Sequence, residues 1–182
     1  MMRVIAGRLG GRRLAAPRGE GTRPTADRVR EALFSSLGDV TGALVCDLYA
    51  GTGALGIEAL SRGARRAVFV ESGRPALATL RENLAALDLA DAARVVPLPV
   101  ERALDLLADE GPFDLALLDP PYAALTKAAA AAARLAGPLG LLAPAGRLVL
   151  EHARRDPSPE IAGLTCAAVR TYGDTAVSFY AR

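Results

Sequence analysis

The sequence predicts an α/β fold, a doubly wound parallel sheet with helices on both faces, and three observations carry that prediction. From residue 44 onward, short apolar runs alternate with amphipathic stretches. That is the pattern of strand–helix–strand units joined by right-handed crossovers. A glycine turn, Gly51-Thr-Gly-Ala-Leu-Gly56, separates the first apolar run from the first amphipathic one. The last two β-prone runs, 165–171 and 175–181, have only Tyr172-Gly173-Asp174 between them, so the tail closes as an antiparallel hairpin.

Each element follows in order. Residues 3–15 alternate small apolar and basic residues about Gly10-Gly11, a pair suited to a tight turn. This predicts a basic β-hairpin extension over residues 1–22, ahead of a main domain at 23–182. Residues 17–22 read as a loop. Val29, Leu33, Phe34 and Leu37 have helical spacing, and Thr25 suits the N-cap of that helix. Strands are predicted at 44–49, 67–70, 93–98, 113–118 and 146–151, and helices at 54–61, 74–87, 100–108 and 123–136. A parallel sheet that ends in a hairpin is not the layout of a dinucleotide dehydrogenase. It is the Rossmann-like layout of seven-stranded methyltransferases that use S-adenosylmethionine (SAM).

Length and composition narrow the field further. The 182 residues make one domain, long enough to bury roughly 70% of the unfolded surface. No apolar run reaches the roughly 18 residues that span a bilayer. Arginines at 3, 8, 12 and 13 interrupt any signal-peptide core, and Cys46 and Cys166 form no close-spaced motif. A reducing, cytoplasmic setting is therefore expected, without a zinc site or other metal centre. The net charge is only +2, but residues 1–38 hold eight arginines against three acidic residues. A basic front on a near-neutral body points to a polyanion, with nucleic acid the natural candidate. The chain also favours arginine generally, since Lys127 is its one lysine.

The glycine spacing G-x-G-x-x-G occurs in dinucleotide-binding turns, yet Asp47 precedes it by four residues. A carboxylate beside the turn would repel a pyrophosphate. It suits a ligand that carries an ammonium and a sulfonium, as SAM does. Glu71, twenty residues after Gly51, is placed to accept from ribose hydroxyls in either class of nucleotide. The stretch Asp119-Pro120-Pro121-Tyr122 follows the fourth predicted strand, at the edge where open α/β sheets bind ligands. Two prolines withdraw two N–H donors and leave carbonyls free, Asp119 adds acceptor oxygens, and Tyr122 offers a ring for stacking. Acceptors beside a stacking ring match a planar base that bears an exocyclic amine.

With these residues in view, the chain resembles methyltransferases that carry D/N-P-P-Y/F and act on exocyclic amines of nucleobases. More narrowly, it is similar along its length to the RsmD family, the guanine-N2 methyltransferases of small-subunit (16S) ribosomal RNA. The similar segments are RVIAGRLGGRRL near the start, RPTADRVREALFSSL at 23–37, DLYAGTGALGIEALSRGA at 47–64, DPPY at 119–122 and YGDTAVSFY at 172–180. The resemblance implies SAM as cofactor and a guanine in 16S rRNA as target, within the small subunit or an assembly intermediate. It implies a cofactor set of Asp47, Gly51, Thr52, Gly53, Glu71, Val100 and Asp119, and a catalytic set of Asp119, Pro120, Pro121 and Tyr122. Arg3, Arg8, Arg12, Arg13 and Arg23 are the expected RNA contacts, and a monomer is the default.

Two positions depart from the family pattern. Glu71 is followed by Ser-Gly-Arg74 where relatives often have Asp-Arg, and Pro99-Val100 replaces a polar residue plus Ala that meets adenine's amine. The expected chemistry is in-line methyl transfer, with Asp119 and the Pro120 carbonyl accepting from the guanine amine. His152, the single histidine, is not required as a base. Arg28 and Arg30 fit a solvated helix face as well as they fit phosphate contacts. Competing readings are a DNA amine methyltransferase, an NAD-dependent oxidoreductase and a noncatalytic RNA-binding assembly factor.

Overall fold

A computed structural model describes residues 2–16 and 24–182. Its elements are α1 (Pro24–Leu37), β1 (Leu44–Leu48), α2 (Ala54–Ser61), β2 (Arg66–Val70), α3 (Arg74–Ala86), β3 (Ala93–Val96), α4 (Val100–Leu106), β4 (Phe113–Leu118), α5 (Leu125–Ala136), β5 (Leu142–Ala153), β6 (Thr165–Tyr172) and β7 (Thr175–Ala181). The seven strands form one sheet in the order β3-β2-β1-β4-β5-β7-β6. Strands β1 to β5 pair in parallel, while β7 runs antiparallel between β5 and β6. The alternating pattern, the crossovers and the terminal hairpin are all as the sequence predicts. Strand order reverses between β1 and β4, which places the switch point beside Asp47 and Asp119.

Side chains alternate along each strand, so the two faces of the sheet carry separate cores. One core joins Val45, Phe69, Leu117 and Val149 to α1, α2, α3 and the N-terminal segment. The other joins Cys46, Val68, Leu118 and Leu150 to α4 and α5. The central strands are buried on both sides, which explains why they read as unbroken apolar runs.

Four local expectations are corrected. Helix α1 begins at Pro24, so Thr25 lies inside it and not at its cap. Proline suits a first helical turn, where its missing N–H has no partner to lose. The N-terminal segment does double back, with an antiparallel bridge between Arg3 and Arg13, but the reversal is not a tight turn at Gly10-Gly11. Val4 N–H donates to Arg12 O and Gly11 N–H to Val4 O, which makes 5–10 the turn. Helix α5 starts at Leu125, after a 3-10 turn over Tyr122–Ala124. Strand β5 starts at Leu142 and not at Gly146, with a register shift against β4 between Phe113 and Leu115. Pro144 falls in that irregular stretch, where a strand tolerates a missing donor.

Candidate active site

The N-terminal segment is fastened onto α2 by Glu58 and Ser61. Glu58 accepts from Ile5 N–H at 2.7 Å, Ala6 N–H at 3.0 Å and Arg62 Nε at 2.8 Å. Arg30 is buried and lies 3.7 Å from Glu58 and 3.0 Å from Asp27. Arg30 is thus a buried tie and not part of a solvated face, whereas Arg28 is exposed. Asn83 of α3 extends the fastening to the site. It accepts from Ala15 N–H at 2.7 Å and donates to Thr52 O at 3.0 Å, so the segment and the glycine turn share one anchor.

The turn itself is built by close approach. Gly51 and Gly53 have φ of +56° and +83°, a region that favours glycine. A Cβ at Gly56 would stand 2.3 Å from the Phe69 ring and 3.0 Å from Asp47 Oδ2. The bare backbone at Gly56 instead lets its N–H donate to Asp47 Oδ2 at 2.8 Å. At Gly51 the direction of a Cβ meets open space, so the turn presents a free surface there. Tyr49, which leads into the turn, holds φ at +64°, a conformation costing ~1–2 kcal/mol in a non-glycine residue.

Four carboxylates stand at the carboxyl ends of four neighbouring strands, Glu71 after β2, Asp47 on β1, Asp119 after β4 and Glu151 on β5. Each lies two positions beyond a residue of the first core, namely Phe69, Val45, Leu117 and Val149. By strand alternation Asp47 and Glu151 therefore face the same side of the sheet, and Glu71 and Asp119, one step past their strands, are close enough for their charges to act on Asp47. Asp47 is 1% exposed, and its Oδ1 has no hydrogen-bond partner among the described residues. Burial pushes its carboxyl up to about 7, opposed by the Gly56 N–H and reinforced by the charges of Asp119 and Glu71. Asp119 is solvent-exposed, and desolvation by the protein around it pushes its carboxyl up to about 6. Glu151 is half-buried, and burial together with the Asp119 charge pushes it up to about 8. Among the described residues no three acidic, histidine or cysteine side chains are grouped so that they could hold a metal ion.

Glu71 is the one member of the row that is well supplied. Its Oε2 accepts from Gly51 N–H at 2.8 Å, and its Oε1 accepts from Ser72 N–H at 2.8 Å and Gly73 N–H at 2.6 Å. A carboxylate has about four acceptor positions, so about one is left. Acceptance from two ribose hydroxyls would require one of these N–H groups to let go.

The remaining predicted residues divide. Pro120 is buried, Pro121 is exposed and Tyr122 is 48% exposed, so the ring stands clear beside Asp119. Val100 does not join the cleft through its side chain, because it packs in the core beneath α4. Thr52 turns its hydroxyl toward Met2 Sδ. Arg8 and Arg13 are exposed, Arg3 lies 4.0 Å from Asp27, and Arg12 donates to Ala86 O at the end of α3. Arg23 lies outside the described residues. His152 is buried away from the row, with Nδ1 against Ala153 O and Nε2 2.8 Å from Ser178 Oγ. Sequence reasoning missed two residues. Glu58 is a charge inside an otherwise apolar helix, a signal that was available, and Glu151 stood unremarked at a strand end.

Sheet order, an antiparallel tail and a site at the switch point define the α/β fold of the seven-stranded methyltransferases. The family model described as "Conserved hypothetical protein 95" matches residues 2–181, and the chain belongs to this family, the RsmD family. It is 41% identical over 182 residues, 98% of each chain, to the Bacillus subtilis (strain 168) protein named "Putative rRNA methyltransferase YlbH". It is 45% identical over 123 residues to "Ribosomal RNA small subunit methyltransferase D" of Escherichia coli (strain K12), a match covering 66% of this chain and 60% of that one. A solved structure described as "Putative methyltransferase yhhF from Escherichia coli" superposes with a TM-score of 0.83 at 36% identity. That match covers 100% of this chain and 97% of the other.

Proposed function

We propose that this protein is a SAM-dependent methyltransferase of small-subunit ribosomal RNA that modifies the N2 amine of a guanine. One observation carries the reading. A buried carboxylate with an unfilled oxygen, Asp47, stands beside an open glycine turn within a row of carboxylates that has no cationic partner among the described residues. Such a row repels phosphate and suits a cationic nucleoside. Kinship with proteins named as rRNA methyltransferases supports RNA as the substrate, held in the small subunit or an assembly intermediate in the cytoplasm.

In this reading Asp47 receives the amino group of SAM, Gly51, Thr52 and Gly53 cradle it, and Glu71 takes a ribose hydroxyl. When bound, SAM supplies a methyl group made electrophilic by its sulfonium. Tyr122 stacks on the target base, worth about 1–3 kcal/mol. Asp119 and the Pro120 carbonyl accept the two N–H bonds of the amine and turn its lone pair toward the methyl, so that rate comes from placement and local electrostatics. The N–CH3 bond forms as the S–CH3 bond breaks, and the surplus proton leaves the amine to Asp119 or to water. The exposed arginines of the N-terminal segment hold phosphates, each adding about 0.7–0.9 to the log–log salt slope.

The test is transfer of labelled methyl from SAM to unmethylated small subunits, naked small-subunit rRNA and double-stranded DNA in parallel. The expected product on digestion is N2-methylguanosine from subunits or rRNA. Label in DNA alone would replace the substrate, and SAM binding without transfer to any nucleic acid would favour a noncatalytic assembly factor.

A further inference from the structure

Three carboxylates of the row have work in that reading, and Glu151 has none. The register Leu118↔Leu150 of parallel strands β4 and β5 puts Asp119 and Glu151 at the next positions of two neighbouring strands, which are spaced about 4.8 Å apart. On its other flank Glu151 is paired with Val177 of β7, which is apolar and buried. Among the described residues Glu151 has neither a hydrogen-bond donor nor a cation. A half-buried carboxylate held beside another carboxylate, without a partner, weakens a fold. The unfilled Oδ1 of Asp47 in the same row is an independent sign that this cleft takes its donors from outside the chain.

The chemistry of the bases says which donors. Adenine, cytosine and guanine all carry an exocyclic amine. In adenine and cytosine the ring nitrogen beside the amine on the pairing edge is an acceptor. In guanine that neighbour is N1–H, a donor. Donors brought by a bound base favour the ionised form of a carboxyl, and an ionised carboxylate only accepts, so two of them side by side match the amine and N1–H of guanine and set a lone pair against a lone pair in the other two bases. We propose that Glu151 reads the target base as guanine by accepting its N1–H, while Asp119 accepts from the adjacent amine. This role rests on the function proposed above and adds to it the residue that selects the base.

The test compares guanine with 2-aminopurine, which keeps the 2-amine and has an acceptor at N1. Small-subunit RNA carrying one or the other at the methylated position is reassembled into subunits and offered to the enzyme. The unaltered protein should prefer guanine by on the order of 10²-fold in kcat/KM, the scale of one hydrogen bond to a charged group. Glu151→Gln, whose amide can donate to N1, should slow transfer to guanine and quicken transfer to 2-aminopurine, shrinking the ratio at least ~10-fold. The ratio is read within one preparation, so a loss of folded protein cannot imitate it. Equal transfer to both bases by the unaltered enzyme would overturn the role of Glu151 and leave the methyltransferase standing. So would a Glu151→Gln variant with an unchanged ratio or with no transfer to either base. Absence of transfer to either base by the unaltered enzyme, with SAM bound, would instead remove the proposed function and the role of Glu151 with it.

Discussion

Asp47 and Glu58 lie on the same side of the sheet and are equally withdrawn from water, at 1% and 0% exposure, but the chain treats them in opposite ways. Glu58 is surrounded by donors, two backbone N–H groups and Arg62, with Arg30 close by. Asp47 has the Gly56 N–H on one oxygen and nothing on the other. A buried charge is costly unless it is paired. The first residue meets that condition internally and binds two parts of the chain together. The second leaves it open, and the vacancy lies where open α/β sheets take ligands. Degree of pairing, more than depth of burial, separates the structural carboxylate from the one suited to a ligand.

The sharpest way to break this comparison is to remove Glu58. Glu58→Ala leaves the buried Arg30 with only Asp27 and the Arg3 carbonyl, and leaves the N–H groups of Ile5 and Ala6 without acceptors. Breaking one side of a buried pair costs about 3–5 kcal/mol, so urea denaturation should show a loss of that size. Amide exchange should accelerate first in residues 4–14, since Glu58 and Ser61 hold that segment. A loss below ~1 kcal/mol would mean that the fastening is ornamental. Asp47→Asn should behave in the reverse manner. Folding stability should hold or rise, because a buried charge disappears while an amide oxygen can still accept from Gly56. SAM affinity measured by calorimetry should fall by the 1.5–3 kcal/mol of a charged hydrogen bond. A stability loss matching that of Glu58→Ala would place Asp47 among the structural carboxylates.

How much of this was legible beforehand follows the range of the forces involved. Helix 54–61 and strand 113–118 match the sequence expectation to the residue, because periodicity and glycine punctuation are local signals. That Asp47, Glu71 and Asp119 stand at the carboxyl ends of strands was legible by spacing. What escaped was whatever depends on a distant surface. Gly7 is required because a Cβ there would collide with Ser61 O on α2, a contact across more than fifty residues, so the turn fell at 5–10 and not at the obvious Gly10-Gly11. The pairing of Arg30 with Glu58 is likewise tertiary, and α1 alone gives no sign of it. The side-by-side placement of Asp119 and Glu151 needs the register of two strands separated by a whole crossover helix. The early start of β5 was hidden by Pro144, which argues against a strand unless a bulge is known.

The smallest predicted effect concerns pH and also tests the distinction most finely. Burial raises the carboxyls of Asp47, Asp119 and Glu151 to about 7, 6 and 8, from ordinary values of 3.8, 3.8 and 4.5. Between about pH 4 and 8 the folded chain therefore holds protons that the unfolded chain has released. Stability then falls as pH rises, being fullest below the unfolded values and lost as pH passes through the folded ones. Water reaches Asp119 and Glu151 and trims their share, which leaves Asp47 the steepest contributor. A cationic ligand favours the ionised forms, so the rise in melting temperature on adding SAM should widen from pH 5 to pH 8. Asp47→Asn should flatten this trend, whereas Arg62→Ala, which removes a donor to Glu58 and the stacking on Phe34 and touches no carboxylate of the row, should lower the melting temperature at every pH and leave the widening intact. A ligand-induced shift that stayed constant with pH would show that the row is ionised and stabilised without help, and the line drawn between Asp47 and Glu58 would vanish.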